Sequence, residues 1–324
     1  MQENLIIKEE VYEKVMRTDV EPYLEKRLQV MKLEREKGKK IHCVRYRAEN
    51  PRGVVVISHG FTESAEKYKE IIYYFVQEQY HVYMPEHCGH GNSYRLTEDL
   101  SLVHIDDFQR YVDDLLYVAS AAKRQNSGLH LYLYAHSMGG GIGAAAAAKD
   151  SHLFNKIILT SPMIRPLTGK VPWKMACMMA KLVCIIGKEM SYVSGHPYDG
   201  TETFEDSCSL SRVRFDYYQK KRKIHPELQM NGASYGWLKE AGKLNQYLYK
   251  VAVKNIKAPL LLFQAEKEDV VSKKEQNRFV QELKAEGTDA KLVIIKDAKH
   301  EIFNATDAVL ELYWKMIFDY FAEF

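Results

Sequence analysis

Ser137 sits where the apolar run Leu131, Tyr132, Leu133, Tyr134 passes through Ala135 and His136 into Met138, the glycines at 139, 140, 141 and 143, and the alanines at 144–148. A strand, a sharp turn with serine at its apex and a helix would hold the hydroxyl clear of the backbone. The same turn aims the next amide, that of Met138, at the same space. Small residues flank such a turn because the two backbone runs nearly touch, and Ala135 stands where glycine is usual. A serine hydroxyl attacks only beside a base, and an imidazole oriented by a carboxylate suits that task. His300 follows the last apolar strand-like run, and Glu266, Glu268 and Asp269 follow the one before it. Serine, acid and histidine therefore come in that order along the chain. In Ser58-His59-Gly60-Phe61, Gly60 lets the backbone pass close to a substrate, and the Phe61 amide can pair with that of Met138 as an oxyanion hole. Read alone, Ser137 also fits an ordinary strand-to-helix loop; the downstream order argues against that.

Other chemistries are poorly supported. The 46 Lys and Arg against 43 Asp and Glu leave a net charge of +3, too mild to argue for nucleic acid, and no motif for it is present. His87 and His90 lack companions at metal-ligand spacing, so no metal and no cofactor is expected. Five scattered cysteines without a Cys-x-x-Cys pair fit free thiols in a reducing compartment. Residues 1–4 lack the basic flank and apolar run of a signal peptide, and the apolar stretch 171–187 is short and interrupted by Lys174 and Lys181. The expectation is a soluble cytoplasmic protein that can touch the inner membrane face; its oligomeric state is open.

The elements that must position these groups alternate. Residues 19–37 read as a helix, with Asp19 as cap, Pro22 early and Gly38 as stop, and with Leu24, Leu28, Met31 and Arg35 on one face. Strands are expected at 41–47, 54–57, 81–84, 130–134, 156–159, 259–264 and 291–295, and helices at 68–78, 106–123 and 306–324. This rhythm predicts an α/β fold with a mostly parallel sheet and helices on both faces. It breaks between about 162 and 255. The core is therefore assigned to 1–161 and 256–324, with 1–38 as a helical extension, and 162–255 to an insertion.

The chain resembles the α/β-hydrolase superfamily, in particular its bacterial lysophospholipase and monoacylglycerol lipase branch. The resemblance rests on Ser58-His59-Gly60-Phe61, Gly89-His90-Gly91-Asn92-Ser93, Ala135-His136-Ser137-Met138-Gly139-Gly140, Thr160-Ser161-Pro162-Met163 and Lys299-His300-Glu301. Within the insertion it rests on Ser211-Arg212-Val213-Arg214-Phe215 and Tyr235-Gly236-Trp237. It implies a helical cap, a serine nucleophile at Ser137, a base at His300 and substrate contacts from Gly60, His136, Met163, Trp173, Tyr235 and Trp237. The family pattern Gly-x-x-Asp-x-(apolar)-Val, aligned on Val270-Val271, puts Glu268 at the acid position, with Asp269 as the alternative. Glu86 stands where the family usually has Asp, a departure that concerns loop geometry.

The insertion holds Val171, Trp173, Met175, Met178, Met179, Leu182, Val183, Ile185 and Ile186, with Lys170, Lys174, Lys181 and Lys188 among them. One reading is a lid that lines an acyl pocket and rests on a membrane; the other is a segment that simply packs on the core. The basic run Lys220, Lys221, Arg222, Lys223 fits a phosphate contact or a solvated face. The expected function is a serine hydrolase of lipid esters, a lysophospholipid or monoacylglycerol. Carboxylesterase, thioesterase and proline-type peptidase activities use the same machinery, and a non-catalytic ligand-binding relative is the alternative of another class. An apolar cap argues for acyl esters over a peptide's free amine.

Overall fold

The computed structural model describes residues 6–193 and 195–323; residues 1–4, read above for want of a leader, and Phe324 of the expected last helix lie outside them. Eight strands form one sheet: β1 (Leu28–Glu36), β2 (Lys39–Tyr46), β3 (Gly53–Ser58), β4 (Tyr80–Pro85), β5 (Leu131–His136), β6 (Lys156–Thr160), β7 (Leu260–Ala265) and β8 (Ala290–Ile295). Their spatial order is β1-β2-β4-β3-β5-β6-β7-β8. Pairing is parallel from β4 across to β8, while β2 runs antiparallel to both β1 and β4.

β3 and β5 are buried at every residue, as strands covered on both faces must be. Their side chains alternate between two cores. Val54, Val56, Leu131, Leu133 and Ala135 meet helices α2 (Gln109–Gln125), α3 (Ser137–Lys149) and α7 (Lys273–Ala285). Val55, Ile57, Tyr132 and Tyr134 meet α1 (Lys69–Gln77) and α8 (Asp307–Ala322) on the other face. The architecture is the expected α/β one, and it brings the ends of β3, β5, β7 and β8 to one rim.

The helix expected over 19–37 does not form. Helical turns cover 9–25 instead, Leu28–Glu36 is β1, and Gly38 (φ +79°) turns the chain into β2. Lys, Glu, Leu and Met favour helices in isolation, but Met31, Leu33 and Arg35 alternate with exposed Lys32 and Glu34, and pairing with β2 overrides the intrinsic preference. The 1–38 extension is thus part helix and part hairpin. Its helical part is anchored by buried Tyr12, Met16, Val20 and Leu24, spaced four apart.

Between β6 and β7 lie α4 (Trp173–Ile185), α5 (Arg212–Ile224) and α6 (Tyr235–Tyr247). The strand Gly232–Ala233, which pairs with Leu102–Val103, is only two residues long and leaves no periodic pattern to read. α5 is pinned by the N-terminal turns: Lys220 pairs with Glu13 and Lys221 with Glu21, both at 2.8 Å, and Tyr12 packs edge-on against Tyr217. Lys220 and Lys221 are therefore ion-paired within the chain, and Arg222 is buried. α4 is held differently. It packs on the core through buried Ala176 and Ala180 and leaves Leu182 56% and Ile185 79% exposed on its other side. No described helix is long and apolar enough to cross a membrane.

Candidate active site

Ser137 opens α3 directly at the end of β5, with φ at +51°, a backbone conformation a side chain rarely adopts. Close approach explains the glycine after it. A Cβ at Gly139 would lie 2.2 Å from the Ser58 carbonyl oxygen and 2.4 Å from that of His59. Ala135 fits at the first glycine position because Gly143 faces it; a Cβ there would come within 3.1 Å of the Ala135 Cβ. The Met163 amide donates to the Ser137 carbonyl at 2.7 Å, tying the elbow to the segment after β6.

His300, in the loop after β8, points its Nε2 at Ser137 Oγ, 2.8 Å away. Its Nδ1 lies 2.9 and 2.8 Å from the two carboxylate oxygens of Glu268, which follows β7. Glu268 Oε1 also accepts the amides of Val270 and Val271 at 3.0 and 3.1 Å. Burial would raise this carboxyl, but His300 and the two amides outweigh it and hold Glu268 below the ordinary carboxylate range. Asp269 is exposed, and Glu266 is exposed and accepts the Asp297 amide instead. An imidazole that donates Nδ1–H to Glu268 offers its Nε2 lone pair to the Ser137 hydroxyl, the arrangement needed for proton removal.

The Met138 amide belongs to the first turn of α3 and by position has no intrahelical acceptor. The neighbouring loop is held by a group the sequence did not reveal. Buried Glu63 accepts the Gly60 amide and the Tyr68 hydroxyl, each at 2.6 Å, and pairs with Lys67 at 3.0 Å. Lys67 also pairs with Glu301, next to His300, so one ammonium links the Phe61 loop to the histidine loop. Burial would raise Glu63, yet Lys67, His136 and Tyr68 bring it down to about 2. Glu63 and Lys67 are four apart but precede α1, so no helical pattern could have flagged them. His87 and His90 are buried supports: His87 meets Ser58 Oγ at 3.0 Å and His90 faces the Cys88 carbonyl at 3.0 Å. Glu86 shapes its loop by accepting the amides of Ala65 and Asn92 at 3.0 and 2.6 Å.

Two cavities flank the site. One of about 290 Å³, the more polar of the two, has Ser137, His300, His136 and Phe61 in its wall and mixes Glu202, Asp206 and Glu301 with the rings of Phe215 and Tyr218. The other, about 470 Å³, is apolar, walled by Leu167, Val171, Met179, Tyr235 and Trp237. The Phe61 and Trp237 rings, 4.7 Å apart, stand between them. The expected apolar surrounding thus describes only the second cavity, because residues far apart in the insertion bring polar groups to the first. The other expected contacts divide. His136 lines the polar cavity; burial pushes its ring down to about 4 against the pull of Glu63, so it is neutral at pH 7. Tyr235 and Trp237 line the apolar one. Met163 is buried under the elbow, Trp173 sits outside both walls with its indole N–H on Asn245, and the close approach at Gly60 comes from Glu63 and His136.

A family model described as serine aminopeptidase, S33, matches residues 49–307, most of the chain. The chain belongs to the S33 family. This S33 serine hydrolase is 28% identical over 301 residues to lysophospholipase L2 of Escherichia coli, covering 87% of this chain and 84% of that one. It is 29% identical over 259 residues to a probable lysophospholipase L2 of Haemophilus influenzae, covering 80% of each. A soluble variant of monoglyceride lipase from Saccharomyces cerevisiae, solved in complex with a substrate analog, superposes with a TM-score of 0.72 at 18% identity over 91% of this chain and 94% of that one, a likeness of fold. The α/β-hydrolase expectation and its lysophospholipase and monoacylglycerol lipase branch agree with these relatives.

Proposed function

We propose that this S33 hydrolase cleaves carboxylic esters of lipids, lysophospholipids or monoacylglycerols, through an acyl-enzyme on Ser137. The observation that carries the reading is the unbroken line from Glu268 through His300 to Ser137 at a strained elbow. Ser137 Oγ attacks the ester carbonyl while His300 Nε2 takes its proton and then returns it to the leaving alcohol. Glu268 fixes the tautomer and stabilises the imidazolium, and water releases the acyl group by the reverse path. The amides of Phe61 and Met138 receive the oxyanion. The relatives' names and the 470 Å³ apolar cavity support a long acyl chain. The exposed apolar side of α4, with Lys174 and Lys181 on it, supports docking of that arm on a lipid surface.

A second reading, a proline-type peptidase, is favoured by one observation, the carboxylates in the polar cavity. A fluorophosphonate probe and a substrate panel test both. The lipid reading expects labelling that is lost in Ser137→Ala, and p-nitrophenyl ester hydrolysis that rises with chain length alongside activity on lysophosphatidylcholine and monoolein. Preference for acetate over long chains, or for a prolyl amide, rejects it. No adduct on Ser137 in the folded protein makes this a non-catalytic ligand-binding relative.

A further inference from the structure

We infer that the polar cavity beside Ser137 receives a leaving group that carries an ammonium and turns anionic headgroups away. The inference rests on the ester-hydrolase reading of the same site. Its physical basis is the charge balance of the cavity wall. Four carboxylates, Glu63, Glu202, Asp206 and Glu301, face three cations, Lys67, Arg214 and Arg222.

Each of those cations is already engaged. Lys67 lies between Glu63 and Glu301, one ammonium against two carboxylates. Arg222 is buried and donates to Glu202 and to the carbonyls of Leu228 and Met230. Arg214 is buried and turns to Glu70, at 2.9 Å, and to the Ile7 carbonyl. Asp206 meets the Thr203 hydroxyl at 2.7 Å and no cation among the described residues. The excess charge of the wall is therefore negative, and a phosphate entering it would find no free guanidinium or ammonium to bind.

Two further features suit a cation. The ring of Tyr218, in the same wall, already has Lys67 Nζ 5.5 Å from its centre, and Phe61 and Phe215 add two more aromatic faces. The buried Tyr218 hydroxyl sits beside Ser64 and adds a polar group to the wall that an incoming ligand can meet. A phosphoethanolamine or phosphocholine headgroup brings its own positive charge to these carboxylates; phosphoglycerol does not. A peptide's terminal amine offers the same ammonium, so the test separates the two sources.

Wild type, Asp206→Asn and Asp206→Lys are assayed on oleoyl lysophosphatidylethanolamine, lysophosphatidylcholine, lysophosphatidylglycerol and monoolein in one non-ionic detergent, beside a prolyl amide. Asp206 is exposed, so the variants should fold. Expected at low salt is a kcat/KM for the two ammonium lipids roughly tenfold above that for the phosphoglycerol lipid and above monoolein. That gap should shrink severalfold in Asp206→Lys and in high salt. Equal or better hydrolysis of the phosphoglycerol lipid, monoolein matching the ammonium lipids, or a ratio unmoved by Asp206→Lys overturns the inference. Preference for the prolyl amide overturns the lipid source. p-Nitrophenyl decanoate is the control: hydrolysis of it without headgroup preference defeats this inference alone, and no hydrolysis of it defeats the ester-hydrolase reading as well.

Discussion

Glu268 meets His300 through both carboxylate oxygens, 2.9 and 2.8 Å from Nδ1, while its own Oε1 is held by two consecutive amides. The acid is locked from both sides, so the imidazole has one orientation and one favoured tautomer. Glu268→Gln should lower kcat by about 10³–10⁴-fold with little change in melting temperature, whereas Asp269→Asn should leave turnover near wild type. Steady-state kinetics on a p-nitrophenyl ester checks both; a large loss in Asp269→Asn alone would reverse the assignment.

Glu63 touches no reacting atom but holds the Gly60 amide, and through Lys67 it reaches Glu301. Glu63→Gln should reduce kcat by about 10–100-fold while KM stays within a few-fold, less than the ~10²–10³ typical for outright loss of an oxyanion donor. The split between kcat and KM, measured beside thermal melting, separates mispositioning from unfolding.

The elbow has no room for one more carbon. Gly139→Ala should destabilise the fold by about 3 kcal/mol or prevent it, because the obstruction is the backbone of Ser58 and His59. Ala135→Gly should be tolerated. Chemical denaturation of the two variants tests the pair.

Acid should weaken the protein well above the range of its carboxylates. His136 is held at about 4 from an ordinary 6.5, so the unfolded chain binds the extra proton first. Stability from this group is complete above about pH 6.5 and falls as pH drops toward 4; buried His59, His87 and His90 are lowered too and act in the same direction. Glu63, held at about 2 from 4.5, adds a loss only below pH 4.5. Melting temperature measured from pH 7.5 to 4 should hold steady to about pH 6.5 and decline below it, and His136→Asn should flatten the upper part of that decline.

The exposed face of α4 should matter for lipid at an interface and not for soluble esters. Leu182→Asp with Ile185→Asp should cut activity on lysophospholipid in vesicles by about tenfold or more, since each buried aliphatic side chain is worth ~1.5–3 kcal/mol. Hydrolysis of p-nitrophenyl butyrate should be unchanged.

Much of the core was legible because β3 and β5 are uninterrupted apolar runs ending in residues that cannot serve packing alone. The rim positions of Ser137, Glu268 and His300 follow from which strand each one trails. The preference for Glu268 over Asp269 rested on Val270 and Val271, and those residues supply the amides that cradle its carboxylate. β1 was hidden because Lys32, Leu33 and Glu34 suit a helix, and only the partner strand decides between the two periods. The polar cavity was hidden for another reason. Lys67, Asp206, Tyr218 and Glu301 are distant in the chain, and no local pattern records that a cap helix will lay Tyr218 against Lys67.

The three tryptophans occupy three unlike places: Trp314 is 1% exposed in the core, Trp237 presses on Phe61 between the cavities, and Trp173 is half-buried at the start of α4. The protein thereby carries its own fluorophores. Trp314 supplies a steady background that changes only on unfolding, Trp237 is placed to be quenched or released as the Phe61 partition is disturbed, and Trp173 should shift its emission to the blue when the α4 arm enters lipid. Trp173→Phe should abolish that last shift and leave the other two signals, so arm docking and cavity filling can be followed separately by stopped-flow without any added label.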